Sequence, residues 1–461
     1  MNKTAALLGE RGLFGDKAFY RSLVTLALPI MIQNFLISSL NMIDTVMIGA
    51  VGENEVAAVG VANQFFFLFN MVIYGVSSGV SIFISQYWGS GNRRDIFRTI
   101  GVGLISLILS GALFTALAVF FPIPIMGLFS DAETVLYLGR EYLWIVCISY
   151  IPTAITFVFS HAQRSINNAA VPMFISFLAI LTNTVFNYLL IFGKLGLPAL
   201  GVRGAAIATV LARFLECFLM LLISLKPRQP LRGSLRDYLN FDWSYMRTVY
   251  NVVLPVVMNE GLWGLGAVFY TAAYGRIGTA ALAATNITNT IQNFFMVLCF
   301  SIASASLVMI GHQIGSGDKE KVRFYANRFT VLTGLLGLFL GILILLSGSW
   351  VLSFFRISEG AIRSAGLILK IFGLTYCIRQ INLVLIVGIF RGGGDAKACL
   401  AMDLSTMWLV GVPLAFLGSV YWRLPVEQVV ALITIEELIK FLMAMWRLKS
   451  GKWIHDLTEG I

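Results

Sequence analysis

Long apolar runs separated by short polar loops dominate this chain. They lie at about 23–49, 56–87, 95–121, 136–160, 171–193, 201–225, 247–272, 280–311, 326–350, 364–389, 398–420 and 426–446. Each reaches the ~20 residues that an α-helix needs to cross a bilayer, and the longest leave room for tilt. The runs are continuous rather than alternating in polarity, which argues against a β-barrel. The pattern predicts an all-α polytopic membrane protein with twelve transmembrane helices.

The pattern also repeats. Ala27-Leu28-Pro29-Ile30-Met31 matches Val253-Leu254-Pro255-Val256-Val257, and Gln86-Tyr87-Trp88-Gly89-Ser90-Gly91-Asn92 matches His312-Gln313-Ile314-Gly315-Ser316-Gly317-Asp318. Both matches fall at an offset of 226 residues, and Arg164 stands opposite Arg391 at 227. The longest polar stretch separates the two copies. The expected organisation is a cytoplasmic arm (1–22), an N-terminal six-helix bundle (23–225), a cytoplasmic linker (226–246), a C-terminal six-helix bundle (247–446) and a cytoplasmic tail (447–461). Six spans per copy make the repeats parallel and pseudo-symmetric about an axis along the membrane normal, a common transporter plan.

Composition agrees: 58% of residues are hydrophobic and 12% charged, about half the charged fraction of a soluble domain. The net charge of +10 does not point to nucleic acid, because the bases gather in alternate loops. The arm carries Lys3, Arg11, Lys17 and Arg21; later loops carry Arg93, Arg94 and Arg98, then Arg164, Lys226 to Arg236, Lys319 to Arg323, and Arg391 with Lys397. By the positive-inside rule both termini are cytoplasmic, in a multi-pass inner (plasma) membrane protein. The five cysteines have neither disulfide-framework nor zinc spacing. No phosphate-binding loop, nucleophile motif or metal-binding His pair appears, so an enzyme is not expected, nor a cofactor beyond a coupling ion.

Polar residues inside the spans carry the chemistry, because charge in a membrane helix is costly. Asp44 lies in the outward part of the first span. Asn183 and Asn187 share one face of the fifth at i, i+4, and Thr209 lies in the sixth. From their distance to the helix ends, Asp44, Asn187 and Thr209 fall at a similar depth and Asn183 slightly deeper. One carboxylate with amide and hydroxyl oxygens suits Na+, and equally a proton whose carboxylate is hydrogen-bonded in either form. Helix-to-helix glue is the bland reading of the two asparagines, and back-bonding that of Thr209. Glu260, mid-span in the seventh helix, and Asp403, with Arg379 and Gln380 as possible partners, are candidates for a substrate or second cation site. Pro29 and Pro255 are candidate hinges. Glu436 with Lys440 and Arg213 with Glu216 read as pairs within one helix. Phe65-Phe66-Phe67 reads as packing or lipid contact more readily than as a pocket wall.

In this order and spacing the residues resemble the multidrug and toxic compound extrusion (MATE) family, NorM-like or DinF-like members of the MOP superfamily. The resemblance rests on Leu28-Pro29 with Asp44, Gln86 with Gly89-Ser90-Gly91, and Asn183 with Asn187. Gly201-Val202-Arg203-Gly204-Ala205-Ala206-Ile207-Ala208-Thr209, Leu254-Pro255 with Glu260, Arg391-Gly392-Gly393-Gly394-Asp395, and Trp408 with Gly411-Val412-Pro413 complete it. It implies a V-shaped fold of two bundles and efflux of organic, cationic drugs and dyes by a monomer in exchange for Na+ or H+. It also implies a cation site at Asp44, Asn183, Asn187 and Thr209. Glu260 matches a family glutamate of the seventh helix, whereas the tenth span lacks the aspartate of NorM-type members. A flippase of lipid-linked precursors within the same superfamily is the alternative.

Overall fold

The computed structural model describes residues 16–353 and 358–459, and among them only helices occur as regular structure. Most of the cytoplasmic arm lies outside the described residues. Twelve long helices follow: α1 (Lys17–Gly49), α2 (Glu53–Ser90), α3 (Arg93–Phe120), α4 (Glu133–Ser165), α5 (Ala170–Phe192), α6 (Val202–Ser224), α7 (Trp243–Ile277), α8 (Thr279–Gly315), α9 (Lys319–Leu352), α10 (Glu359–Phe390), α11 (Ala396–Tyr421) and α12 (Val426–Ser450). The first eleven combine length with enough apolar character to cross a membrane among the described residues. The twelfth falls short on composition alone, because Glu427, Glu436, Glu437 and Lys440 lie within it.

Helices end where local chemistry stops them. The Asn92 side chain accepts the Asp95 amide at the start of α3, and Asp318 accepts the Lys321 amide at the start of α9. The same cap thus recurs at the 226-residue offset. Just before each cap, Gly91 and Gly317 take positive φ values of 76° and 79°, which only glycine adopts without cost. α1 begins at Lys17, earlier than the apolar pattern indicates, with the Asp16 carboxylate accepting the amides of Ala18 and Phe19.

The chain forms two compact units, Leu28–Val257 and Met1–Ala27 with Met258–Ile461. Both divisions fall inside helices, next to Pro29 and Pro255, rather than in the linker at 226–246.

In the unit 28–257, the start of α7 packs along α2 and α3. A Cβ on Gly75 or Gly79 would lie 2.7 or 2.9 Å from the Cα of Val257 or Val253, so this glycine stripe is what admits α7. The Tyr245 hydroxyl reaches Thr99 at 2.6 Å, and Arg98 lies 4.0 Å over the Tyr245 ring. The linker folds back on α3, where a Cβ on Gly101 would collide with the Tyr238 carbonyl. Phe65, Phe66, Phe69, Phe114 and Tyr150 form an aromatic cluster, so two rings of the 65–67 run serve packing; Phe67 is exposed.

In the other unit, Phe19 of α1 is buried against Tyr325 and Phe329 of α9, and Asp16 lies 3.4 Å from Arg328. The backbone of α10 turns π-helical over Val384–Phe390, and that of α11 does so twice, at Met407–Gly411 and Leu417–Tyr421. Such segments add a residue to a turn and are frequent at functional sites. At Gly411, a Cβ would collide with the Tyr270 hydroxyl and the Glu436 carboxylate, so this glycine makes room for that pair.

Candidate functional site

Asp44, Asn183, Asn187 and Thr209 meet. α5 presents Asn183 and Asn187 one turn apart, both buried, toward α1 and α6. Asn187 Nδ2 donates to Asp44 Oδ1 at 2.6 Å and to Asn183 Oδ1 at 2.9 Å. Asn183 Nδ2 donates to Thr209 Oγ1 at 3.3 Å, while the Thr209 hydroxyl donates to the Ala205 carbonyl at 3.0 Å. The back-bond expected of Thr209 therefore exists and leaves its oxygen facing Asn183. Gly204 permits this closeness, since a Cβ there would lie 2.6 Å from the Leu190 backbone of α5.

One atom of the cluster is unsatisfied. Asn187 Oδ1 is buried and has no hydrogen-bond partner. An orphaned buried acceptor costs about 1–3 kcal/mol and calls for an explanation. Here it lies on the residue that grips the Asp44 carboxylate, in a set of four oxygen-bearing side chains. Hard cations take such oxygens as ligands. Tyr142 of α4, buried beside Asp44 and Thr209, is a fifth member that the sequence did not single out.

A ladder of side chains runs from α1 to α6 in the same unit. Arg164 Nη2 donates to Gln33 Oε1 at 2.6 Å, and Gln33 Nε2 donates to Ser176 Oγ at 2.7 Å. Ser176 donates to Glu216 Oε1 at 2.9 Å, and Glu216 Oε2 holds Arg213 at 2.8 Å. The Arg213–Glu216 pair is thus within one helix, as read from its spacing, and is also the end of a chain across four.

The second unit builds the same ladder from different residues. Arg391 Nη2 donates to Asn259 Oδ1 at 2.6 Å, and Asn259 Nδ2 donates to Asp403 Oδ2 at 2.9 Å. Lys440 Nζ lies 3.0 Å from Asp403 Oδ1 and 2.9 Å from Glu436 Oε1. Asn259 aligns with Gln33 at the 226 offset, and Asp403 with Ser176 at 227. Arg391 Nη1 also pairs with Glu260 Oε1 at 2.7 Å, and the Tyr270 hydroxyl donates to Glu436 Oε2.

Several expectations change here. Asp403 is partnered by Lys440 and Asn259; Arg379 instead meets Gln292 at 3.0 Å and Glu437 at 3.6 Å. Glu436 and Lys440 do pair at i, i+4, but Lys440 bridges to Asp403 as well. Glu260 and Asp403 are joined through Asn259 and Arg391. Arg391 and Arg164 are not loop bases: Arg391 is 1% exposed, and Arg164 closes the last turn of α4. Pairing explains Arg391, because burying an unpaired guanidinium would be prohibitive.

The MatE family model matches the chain twice, over residues 29–189 and 255–417. These starts reproduce the 226-residue repeat. A Thermotoga maritima relative, "Probable multidrug resistance protein NorM", is 26% identical over 94% of this chain and 93% of its own length. The Bacillus subtilis "Uncharacterized transporter YisQ" is 26% identical over 95% and 96%. A crystal structure of a Vibrio cholerae MATE transporter superposes with a TM-score of 0.84 at 18% identity, covering 95% of this chain and 98% of its own. A MOP superfamily transporter from Pyrococcus furiosus gives 0.82 at 20%, with 95% and 98% covered. Twelve helices in two copies of one six-helix repeat, with matching family models on both copies, show that the chain belongs to the MatE family of membrane transporters.

Proposed function

We propose that this protein is a secondary active multidrug efflux antiporter that exports organic cations in exchange for Na+ or H+. The observation that carries the reading is the buried, unpartnered Asn187 Oδ1 beside Asp44, in a cluster with Asn183 and Thr209. A monovalent cation there would take Asp44 and Asn187 Oδ1 as ligands, with Thr209 Oγ1 and Asn183 completing the set; a proton would neutralise Asp44 instead. In either case Asp44 loses its uncompensated charge, and the equilibrium between transporter states shifts by the difference in cation affinity between them. Pro29, inside α1 some four turns before Asp44, is the proposed hinge through which that change bends the helix, with Pro255 as its counterpart in α7. Membership of the family and the multidrug relatives support drugs as cargo. The basic loops support cytoplasmic termini in the plasma membrane.

The test is efflux of ethidium-like dyes from vesicles under a Na+ gradient or a proton gradient imposed separately. Wild type should move dye under one of them, and Asp44→Asn should lower that rate at least tenfold while inserting normally. Full coupled transport by Asp44→Asn would refute the site. No dye movement by folded wild type under either gradient would favour translocation of lipid-linked precursors.

A further inference from the structure

The two ladders differ in what fills their acceptors, and the difference carries a functional consequence. In the second unit every oxygen of Asp403 and Glu436 already accepts from a side chain. Asp403 has Lys440 on Oδ1 and Asn259 on Oδ2; Glu436 has Lys440 on Oε1 and Tyr270 on Oε2. The Lys440 ammonium bridges the two carboxylates, where a bridging metal ion would otherwise sit. It is 7% exposed and its two partner oxygens hold it at 3.0 and 2.9 Å. Arg391, still more buried, pairs with one oxygen of Glu260, Oε1. No amide oxygen among these ladder residues is left open as Asn187 Oδ1 is: Asn259 Oδ1 holds Arg391.

We infer that Lys440 is a resident counter-cation that closes Asp403 and Glu436 to the coupling ion, with Arg391 neutralising Glu260 beside them, so that each molecule binds one such ion, at Asp44. The inference rests on the coupling role proposed for Asp44, but its main consequence does not. A tethered ammonium needs no uptake from solution, and it excludes an exchangeable cation by occupying its ligands. Removing it leaves a buried carboxylate, Glu436, facing a half-buried one, Asp403, an arrangement that must take up a cation or a proton to persist. Lys440 is thereby a positioning residue that determines how many ions the transporter binds.

The experiment is equilibrium binding of 22Na+ to the purified full-length protein in lipid nanodiscs, with folding followed by elution profile and melting temperature. Wild type should bind one Na+ per molecule, and Asp44→Asn none. Glu260→Gln with Asp403→Asn should still bind one. Lys440→Met should gain one site, giving two in the wild-type background and one with Asp44→Asn. If Lys440→Met fails to fold, Lys440→Gln with Glu436→Gln relieves half the exposed charge and should gain the same site with weaker affinity. Loss of Na+ binding in the Glu260→Gln, Asp403→Asn protein overturns the inference. So does a folded Lys440 variant that gains no site even at alkaline pH, where a proton does not compete for the freed carboxylates. Absence of Na+ binding in wild type together with a gained site in Lys440→Met would instead reject Na+ at Asp44 alone and uphold the role of Lys440.

Discussion

The two repeats lay out one ladder of side chains and use it differently. In the first, an arginine holds an amide, the amide a serine, the serine a glutamate and the glutamate an arginine, while Asp44 stands apart with Asn187 and its open oxygen. In the second, aspartate replaces the serine, the base of the last helix keeps its place (Arg213 over Lys440 at 227) while its glutamate moves from the turn after it to the turn before it, and the aligned position of Asp44 is Tyr270, which donates to Glu436. Duplication thus preserved the geometry of hydrogen bonding and let the charges drift. Chemistry that requires an exchangeable ion needs a carboxylate without a resident cation, and in the first repeat Asp44, beside the ladder rather than in it, meets that need.

That contrast is open to direct attack. The largest effect is expected from Arg391. Arg391→Met strands Glu260 and unpairs Asn259, and should cost about 3–5 kcal/mol, the scale of a broken buried ion pair. Its counterpart Arg164→Met removes a partner from the neutral Gln33 and should cost about 1–3 kcal/mol. Melting of the two purified variants side by side measures the difference; equal losses would mean that Glu260 is not held by Arg391.

A smaller effect belongs to Gly411→Ala. The new methyl must displace the Tyr270 hydroxyl or the Glu436 carboxylate, at an overpacking cost of about 1–3 kcal/mol. Ultraviolet spectroscopy of Tyr270 against a Tyr270→Phe reference would report whether its hydroxyl leaves Glu436. The smallest effects should be symmetric. Asn92→Ala and Asp318→Ala remove the same cap from the two repeats and should each lower stability by about 0.5–2 kcal/mol. Unequal losses would show that the repeats have diverged at their helix starts as well as within their ladders.

Much of this was legible in the sequence. Apolar runs marked all twelve helices, with ends displaced by caps and glycines that hydropathy does not weigh. The four residues of the Asp44 cluster could be found because two of them stand at i, i+4 and three share a depth, with Asn183 slightly deeper. Tyr142 could not, since a tyrosine in an apolar helix has many uses. The second ladder was harder to see for a physical reason. Arg391 and Lys440 look like a loop base and an intrahelical partner when judged by near neighbours, yet their decisive contacts are 131 residues away, to Glu260, and 37 away, to Asp403. The repeat offsets held the missing signal: Gln33 over Asn259 and Ser176 over Asp403 place both ladders in register.

The points at which the chain passes from one compact unit to the other carry a last consequence. Residues 17–27 of α1 are held by Phe19 within the unit that contains α9, and residues 243–257 of α7 are held by Tyr245 within the unit that contains α3. A gene divided at the linker would therefore not encode two self-sufficient pieces. Each fragment would begin with a stretch that completes the other, so co-expressed fragments should accumulate only together, and either one alone should be degraded.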